Sequence, residues 1–318
     1  LRSDHLMPQK LLRALLSFAP IALLLAATPA SAAPQVVASI KPIHALVAGV
    51  MSGIGEPGLI VAGSASPHAY ALRPSDARRL EKAQLIFWIG PIFEGFLIKP
   101  LAALGGKADI VELDRAPGIT LLPARHGGAW EEDDDEHDHR HASAVEQDGH
   151  LWLDPGNAKA IVRIAVARLS ALDPASAARY AANGARIERD LTALDAAIAE
   201  RLEPVRRVPF VVFHDAYGYF EHRYGLDGIG SVTVTPEATP GARRVRAIRD
   251  KIRGLGARCV FSEPQFKPAL METITAGTSA RSGTLDPEGT ALAAGPGLYA
   301  KLMDDLADNL ARCLGGPS

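Results

Sequence analysis

The chain has 318 residues, a formal net charge of −2 and only two cysteines. This near-neutral balance excludes the strongly basic surface that nucleic-acid-binding proteins carry, so we expect no nucleic acid among its partners. Once an N-terminal segment is removed, about 285 residues remain, which exceeds one comfortable hydrophobic core and favours two domains.

The first predicted element is an N-terminal extension followed by a cleaved signal peptide, residues 1–32. Lys10 and Arg13 precede a largely apolar run over residues 14–27, and small residues up to Ala33 follow it. This order is typical of a secretory signal. The apolar run is short for a hydrocarbon layer of about 30 Å, so a signal is favoured over a membrane anchor. We therefore expect a periplasmic protein.

Strand-like and helical segments alternate along the rest of the chain. The first half predicts strands at 35–39, 59–61, 85–89 and 110–113, with helices at 42–51, 73–82 and 157–172. The second half predicts strands at 209–213, 229–234, 259–262 and 283–285, with helices at 217–224, 240–253, 268–276 and 298–313. Near-continuous apolar strands separated by helices indicate parallel sheets that are covered on both faces.

One long helix separates the two halves. Asp173 and Pro174 are typical of a helix start, Pro204 ends it, and Gly184 is its one weak position, at about 1 kcal/mol. About thirty helical residues span roughly 45 Å, too long for a crossover in a small sheet. A helix of this length could bridge two domains, so we predict an α/β fold of two small parallel-sheet lobes joined by one long helix. The predicted boundaries are 33–172 for the N-terminal lobe, with a His/Asp-rich loop at 126–148, then 173–204 for the linker helix and 205–318 for the C-terminal lobe.

The His/Asp-rich loop is the most unusual part of the sequence. Seven carboxylates lie between Glu131 and Asp138, and three histidines alternate with charged residues: His137, His139 and His141. Imidazole binds borderline metals such as zinc, which predicts an auxiliary weak metal site. The competing interpretation is a solvated acidic loop with no metal role. In either case the charge density predicts disorder without metal.

Three further histidines follow predicted strands or loops. His68 and His150 belong to the first half of the chain and His214 to the second. In open parallel sheets, ligands bind beyond the carboxyl ends of the strands. The three side chains are therefore predicted to bind one metal ion between the lobes. Taken singly, each histidine is more often a hydrogen-bonded polar residue than a ligand, and it is their joint occurrence beside a His-rich loop that favours metal binding.

The two cysteines suggest one disulfide. An even count in an exported chain favours a bond between Cys259 and Cys313. Two buried free thiols are the alternative.

Seven motifs, in order along the chain, carry a family resemblance. They are SIKPIH at 39–44, HAYALRPSD at 68–76, FWIGP at 87–91, HLWLDP at 150–155, FHDAYGYF at 213–220, FSEPQF at 261–266 and GTLDP at 283–287. With them the chain resembles the high-affinity zinc-binding proteins of bacterial ABC importers, which are cluster A-I substrate-binding proteins. The resemblance implies two lobes on a rigid helix, Zn(II) bound by His68, His150 and His214, and a structural disulfide. It also implies an ABC-type zinc permease in the inner membrane as partner, and we expect a monomer that is not an enzyme.

The fourth zinc ligand is left open by one departure from the pattern. Some relatives place a Glu directly before the first ligand histidine, where this chain has Pro67. The candidates are Asp286, a water molecule or a loop histidine, and Asp286 has the alternative interpretation of a turn cap. His44 has a weaker claim because it lies inside a predicted helix, and His222 is expected on a helix surface.

Other functions remain to be weighed against zinc uptake. Manganese relatives usually replace one histidine with Glu, so His214 favours zinc over a manganese importer or an adhesin. A zinc hydrolase also uses three protein ligands and an open position, but it needs a general base. Asp215 is the one obvious candidate for that base, since no His-Glu-x-x-His helix is present.

Overall fold

The computed structural model describes residues 32–316 apart from 64, 105, 126–145, 234–240 and 265–267. All but the last residue of the predicted N-terminal segment, 1–32, therefore lies outside the described part. Every helix within the described ranges is too short or too polar to cross a lipid bilayer.

The first half of the described chain forms a lobe around a four-stranded parallel sheet. Its strands are β1 (Val36–Ala38), β2 (Gly58–Leu59), β3 (Leu85–Trp88) and β4 (Asp109–Glu112). Its helices are α1 (Lys41–Val50), α2 (Pro74–Lys82), α3 (Ile98–Ala103) and α4 (Pro155–Leu172). The strand order is β2-β1-β3-β4. All residues of β1 and β3 are buried, as expected for a parallel sheet covered on both faces.

A long helix, α5 (Ala177–Leu202), follows the first lobe. Short 3₁₀ turns extend it at both ends, Pro174–Ser176 and Glu203–Val205. Its buried side chains recur at helical spacing and form one apolar stripe: Tyr180, Leu191, Ile198 and Leu202. Helix α5 packs on α1 and α4 of the first lobe, and in the second lobe it packs on the last helix of the chain.

The second lobe repeats the topology of the first. Its strands are β5 (Phe210–His214), β6 (Gly228–Thr233), β7 (Cys259–Ser262) and β8 (Arg281–Thr284). Its helices are α6 (Gly218–Tyr224), α7 (Ala242–Gly254), α8 (Pro268–Thr275) and α9 (Leu298–Gly315). The order β6-β5-β7-β8 is again fully parallel. The predicted architecture, two parallel-sheet α/β lobes with one long helix, is confirmed.

The predicted disulfide is also confirmed. Cys259 and Cys313 are bonded, with their Cα atoms 6.3 Å apart and a separation of 54 positions in sequence. Cys259 opens β7 and Cys313 lies near the end of α9, so the bond ties the last helix to the second sheet.

Gly184 has a packing role that its low helix propensity does not predict. It is buried where α5 meets α4, and a Cβ atom there would lie 2.5 Å from Val166 Cγ2. Alanine favours helix by about 1 kcal/mol over glycine, yet overpacking of this kind costs about 1–3 kcal/mol. We expect Gly184→Ala to lower the free energy of unfolding, as measured by urea denaturation. Ala181→Gly, an exposed change on the same helix, reports propensity alone. A Gly184→Ala protein more stable than the parent would contradict this packing account.

Candidate metal centre

The carboxyl ends of the strands bring the three predicted histidines together. His214 is the last residue of β5, His68 lies in a 3₁₀ turn (Pro67–Ala69) after β2, and His150 precedes another (Leu151–Leu153). Their ligand nitrogens all lie within 4.8 Å of one another. Two of the side chains come from the first lobe and one from the second, so the cluster lies between the lobes, where the sequence predicts it.

Two carboxylates, one partly buried and one buried, orient two of the three imidazoles. Asp148 Oδ1 accepts from His150 Nδ1 at 2.7 Å and from its backbone N–H at 2.9 Å. Glu263, which is buried, accepts from His214 Nδ1. Because each Nδ1 donates to a carboxylate, each Nε2 is left as an acceptor that faces the cluster. Such carboxylate–histidine pairs are the usual supports of metal-binding imidazoles.

The spacing of the two facing nitrogens suits zinc. His150 Nε2 and His214 Nε2 are 3.4 Å apart. Two nitrogens bound tetrahedrally to zinc at about 2.0–2.1 Å lie about 3.3 Å from each other. The arrangement can therefore accept a zinc ion with little movement of this pair.

His68 supplies a third nitrogen with a free lone pair. Within the described residues, its Nε2 is buried without a hydrogen-bond partner. The Phe93 ring lies edge-on at 4.7 Å from His68 and 5.1 Å from His150, so it forms an apolar wall beside both. Burial, together with repulsion from His150 and His214, lowers the pKa of His68 from 6.5 to about 2. An imidazole that stays neutral, with its Nε2 atom shielded from solvent, is suited to metal binding.

The lowered pKa of His68 predicts an acid sensitivity of the metal-free protein. An unfolded chain protonates this side chain near its ordinary pKa of 6.5, whereas the folded protein protonates it only near 2. Between those values the unfolded state binds more protons, so stability falls as the pH drops below 6.5, by at most about 1.4 kcal/mol per unit from this group. We expect His68→Gln to make that fall shallower between about pH 6.5 and 4. Urea denaturation at stepped pH measures it, with the exposed His222→Gln as control. An unchanged slope in His68→Gln would contradict the assignment.

The other predicted residues within the described ranges are not among the clustered ligand atoms. Asp286 accepts hydrogen bonds from Thr290 Oγ1 at 2.9 Å and from the Ala291 N–H at 3.2 Å, as a turn cap does. Its ligand role stays a prediction. His44 Nε2 lies 3.0 Å from the Pro57 carbonyl oxygen, and burial lowers the pKa of His44. His222 is exposed on α6, where the sequence places it. The three loop histidines lie outside the described residues, and their auxiliary role stays a prediction: His137, His139 and His141.

Sequence reasoning missed Asp148 and Glu263, the two carboxylates that orient the ligand histidines. Each had a signal. Asp148 lies two residues before His150, the spacing of a local side-chain turn. Glu263 directly follows β7, the strand beside β5. It therefore leaves the sheet at the same edge as His214.

Three clustered imidazoles between two α/β lobes, with a long helix running beside both, define a metal-binding protein of the two-lobed class. The family model described as "Zinc-uptake complex component A periplasmic" matches residues 36–313. The chain belongs to this family.

Named relatives agree with that assignment, and a solved structure has the same fold. The high-affinity zinc uptake system protein ZnuA of Brucella abortus (strain 2308) is 45% identical over 308 residues, which covers 88% of this chain and 91% of the relative. The protein of the same name from Yersinia pestis is 38% identical over 303 residues, covering 92% and 95%. A crystal structure of ZnuA superimposes with a TM-score of 0.75 at 24% identity, covering 89% of this chain and 99% of that one, which supports the fold.

Proposed function

We propose that this protein captures one Zn(II) ion in the cleft and delivers it to an ABC-type zinc permease in the inner membrane. Zinc is the cargo, and the proposed ligands are His68, His150 and His214. The observation that carries the proposal is the convergence of three ligand nitrogens from two lobes within 4.8 Å. The relatives named as high-affinity zinc uptake proteins support the choice of metal and of transport.

The donor set favours zinc over manganese. Imidazole suits zinc, whereas manganese prefers carboxylate, carbonyl and water oxygens. In this site the carboxylates of Asp148 and Glu263 contact the imidazoles, where they increase ligand basicity. A manganese-selective protein remains the second candidate within the family, and metal competition separates the two.

The fourth ligand is part of the proposal. Asp286 already accepts hydrogen bonds from the Thr290 hydroxyl and from the Ala291 and Glu288 N–H groups, so zinc would share this carboxylate with them. A water molecule or a loop histidine is the alternative fourth ligand.

Asp215, the obvious candidate that the sequence offers for the general base of a hydrolase, is already paired with a cation. Arg125 Nε donates to both Asp215 oxygens at 3.0 Å, which occupies this carboxylate with a cation. We therefore propose that the protein is not an enzyme. It acts as a monomer in the periplasm after cleavage of the segment 1–32, and its lobes are 33–172 and 205–318 around the linker 173–204.

The His/Asp-rich loop is proposed as an auxiliary zinc collector. Its imidazole and carboxylate groups can supply zinc ligands, and we expect that binding to be weak, roughly micromolar. Deleting residues 127–142 is expected to spare the tight site and remove a second, weaker binding step. Calorimetry checks this. An identical stoichiometry before and after deletion would leave only a solvated insertion.

Zinc titration after chelation tests the proposed function. The expected result is one tight site per chain that excess manganese does not empty. Displacement of zinc by manganese at comparable concentrations would favour the manganese importer. Turnover of an ester or peptide by the zinc form would favour the hydrolase.

A further inference from the structure

Two short backbone segments form a stem on either side of the undescribed residues 126–145. The Ala124 N–H donates to the Glu146 carbonyl at 2.8 Å, and the Asp148 N–H donates to the Leu122 carbonyl at 2.9 Å. The stem thus runs antiparallel, and its second strand ends two residues before the ligand His150. Any displacement of the stem would move Asp148, and with it the carboxylate that orients His150.

Helix α6 of the second lobe holds the stem. Tyr219 Oη accepts from the Leu122 N–H at 3.0 Å and donates to the Asp148 carbonyl at 2.8 Å. Gly218 permits the close approach, because a Cβ atom there would lie 3.0 Å from Asp148 Oδ2. The backbone of the stem is therefore docked directly on the opposite lobe.

Arg125 adds salt bridges, here called the ionic tie, between the stem and the second lobe. Its guanidinium contacts Asp215 through two nitrogens and also donates to Glu221 of α6. The carboxylates are only 10% and 6% exposed, and Arg125 is 28% exposed, so solvent screens the contact weakly. Charge-assisted hydrogen bonds to two carboxylates restrict the orientation of the Arg125 guanidinium as well as its distance from them. Asp215 directly follows the ligand His214, so the tie ends beside the second-lobe ligand.

We propose that Arg125 is a positioning residue for the metal site. By joining the stem that carries Asp148 to the strand end that carries His214, Arg125 fixes the spacing between the first-lobe and second-lobe ligands. The inference rests on the proposed function, that these histidines bind zinc. A site whose ligands are held at zinc spacing before the ion arrives loses less freedom on binding and releases the ion more slowly.

Arg125→Lys tests this role while keeping the positive charge. A lysine ammonium is a point donor and cannot span Asp215 and Glu221 as the planar guanidinium does. We expect zinc to leave the Arg125→Lys protein about 10-fold faster or more, an effect of the size seen when an outer-shell partner is lost. Rapid mixing with a chelator measures the release rate. The matched control is Arg201→Lys, because Arg201 also bridges two carboxylates, of Asp304 and Asp308, but between α5 and α9. Its release rate should equal that of the parent.

A distance measurement without metal separates this inference from the proposed function. Spin labels on Ala102→Cys and Ala247→Cys, exposed positions on α3 and α7, report the separation of the lobes. In the metal-free protein, Arg125→Lys should broaden or lengthen that distance, and Arg201→Lys should not. A parent that fails to bind zinc would end the proposed function, and the labels would still test the positioning role.

Asp215→Asn provides a second variant if Arg125→Lys does not fold. It removes one negative charge from the ionic tie and leaves Arg125 bound to Glu221. We therefore expect faster zinc release and a broader or longer label distance, as for Arg125→Lys. A folded Arg125→Lys protein with the parent's release rate and label distance would overturn the inference. An equal acceleration in Arg201→Lys would overturn it as well.

Discussion

Replacing His214 with alanine is expected to weaken zinc binding more than about 100-fold, since loss of an outer-shell partner alone costs 10–100-fold. The change removes one of three proposed ligands and leaves Glu263 buried without its imidazole partner. His150→Ala and His68→Ala should each have an effect of similar size. Competition against a chromophoric zinc chelator gives the affinities.

His222→Ala is the matched control for these three variants. It lies eight residues beyond His214, on α6, and its side chain is exposed. Its zinc affinity should equal that of the parent. Glu263→Gln should have an intermediate effect, about 10–100-fold, because the amide still contacts His214 but no longer carries the charge. If all three histidine-to-alanine variants bind zinc with the parent's affinity, the assignment of these histidines as zinc ligands is wrong.

Removing the disulfide is expected to lower the free energy of unfolding by about 4 kcal/mol, the chain-entropy value for a loop of this size. The variant is Cys259→Ala with Cys313→Ala, which frees α9 from β7. Zinc affinity of the folded variant should be unchanged, because both sulfurs belong to the second lobe's packing and neither is among the clustered ligand atoms in the described ranges. Denaturant unfolding measures the loss.

A thiol assay checks the bond itself. The purified parent should release no free thiol under denaturing, non-reducing conditions. Two titratable thiols would show that the bond is absent. A double variant as stable as the parent would show that the bond does not stabilise the fold.

The fold was predictable because its strands carry a strong local signal. Buried parallel strands read as continuous apolar runs, so β3 and β7 were placed within a residue of their observed bounds. Weak local signals were missed. Helix α3 carries Pro100 in its third position, tolerated in the first turn but typical of a break elsewhere. Strand β2 has only two residues and begins before its apolar segment.

The candidate site was predictable only in part. Residues that follow strands share one edge of a sheet, which placed His68, His150 and His214 together. The supports of those residues depend on long-range pairing that no local pattern encodes. Glu263 reaches His214 across 49 residues and Arg125 reaches Asp215 across 90. A pairing of two cysteines, by contrast, has a single solution, so the disulfide needed no such information.

The central claim is that one zinc ion binds to the three clustered histidines. Anomalous scattering at the zinc absorption edge, from crystals of the full mature chain grown with one equivalent of zinc, tests it most directly. The account predicts a single strong peak between the lobes, at about 2.0–2.1 Å from one ring nitrogen of each of the three histidines, His68, His150 and His214. A zinc ion held by other residues, with these three imidazoles left unbound, would contradict it.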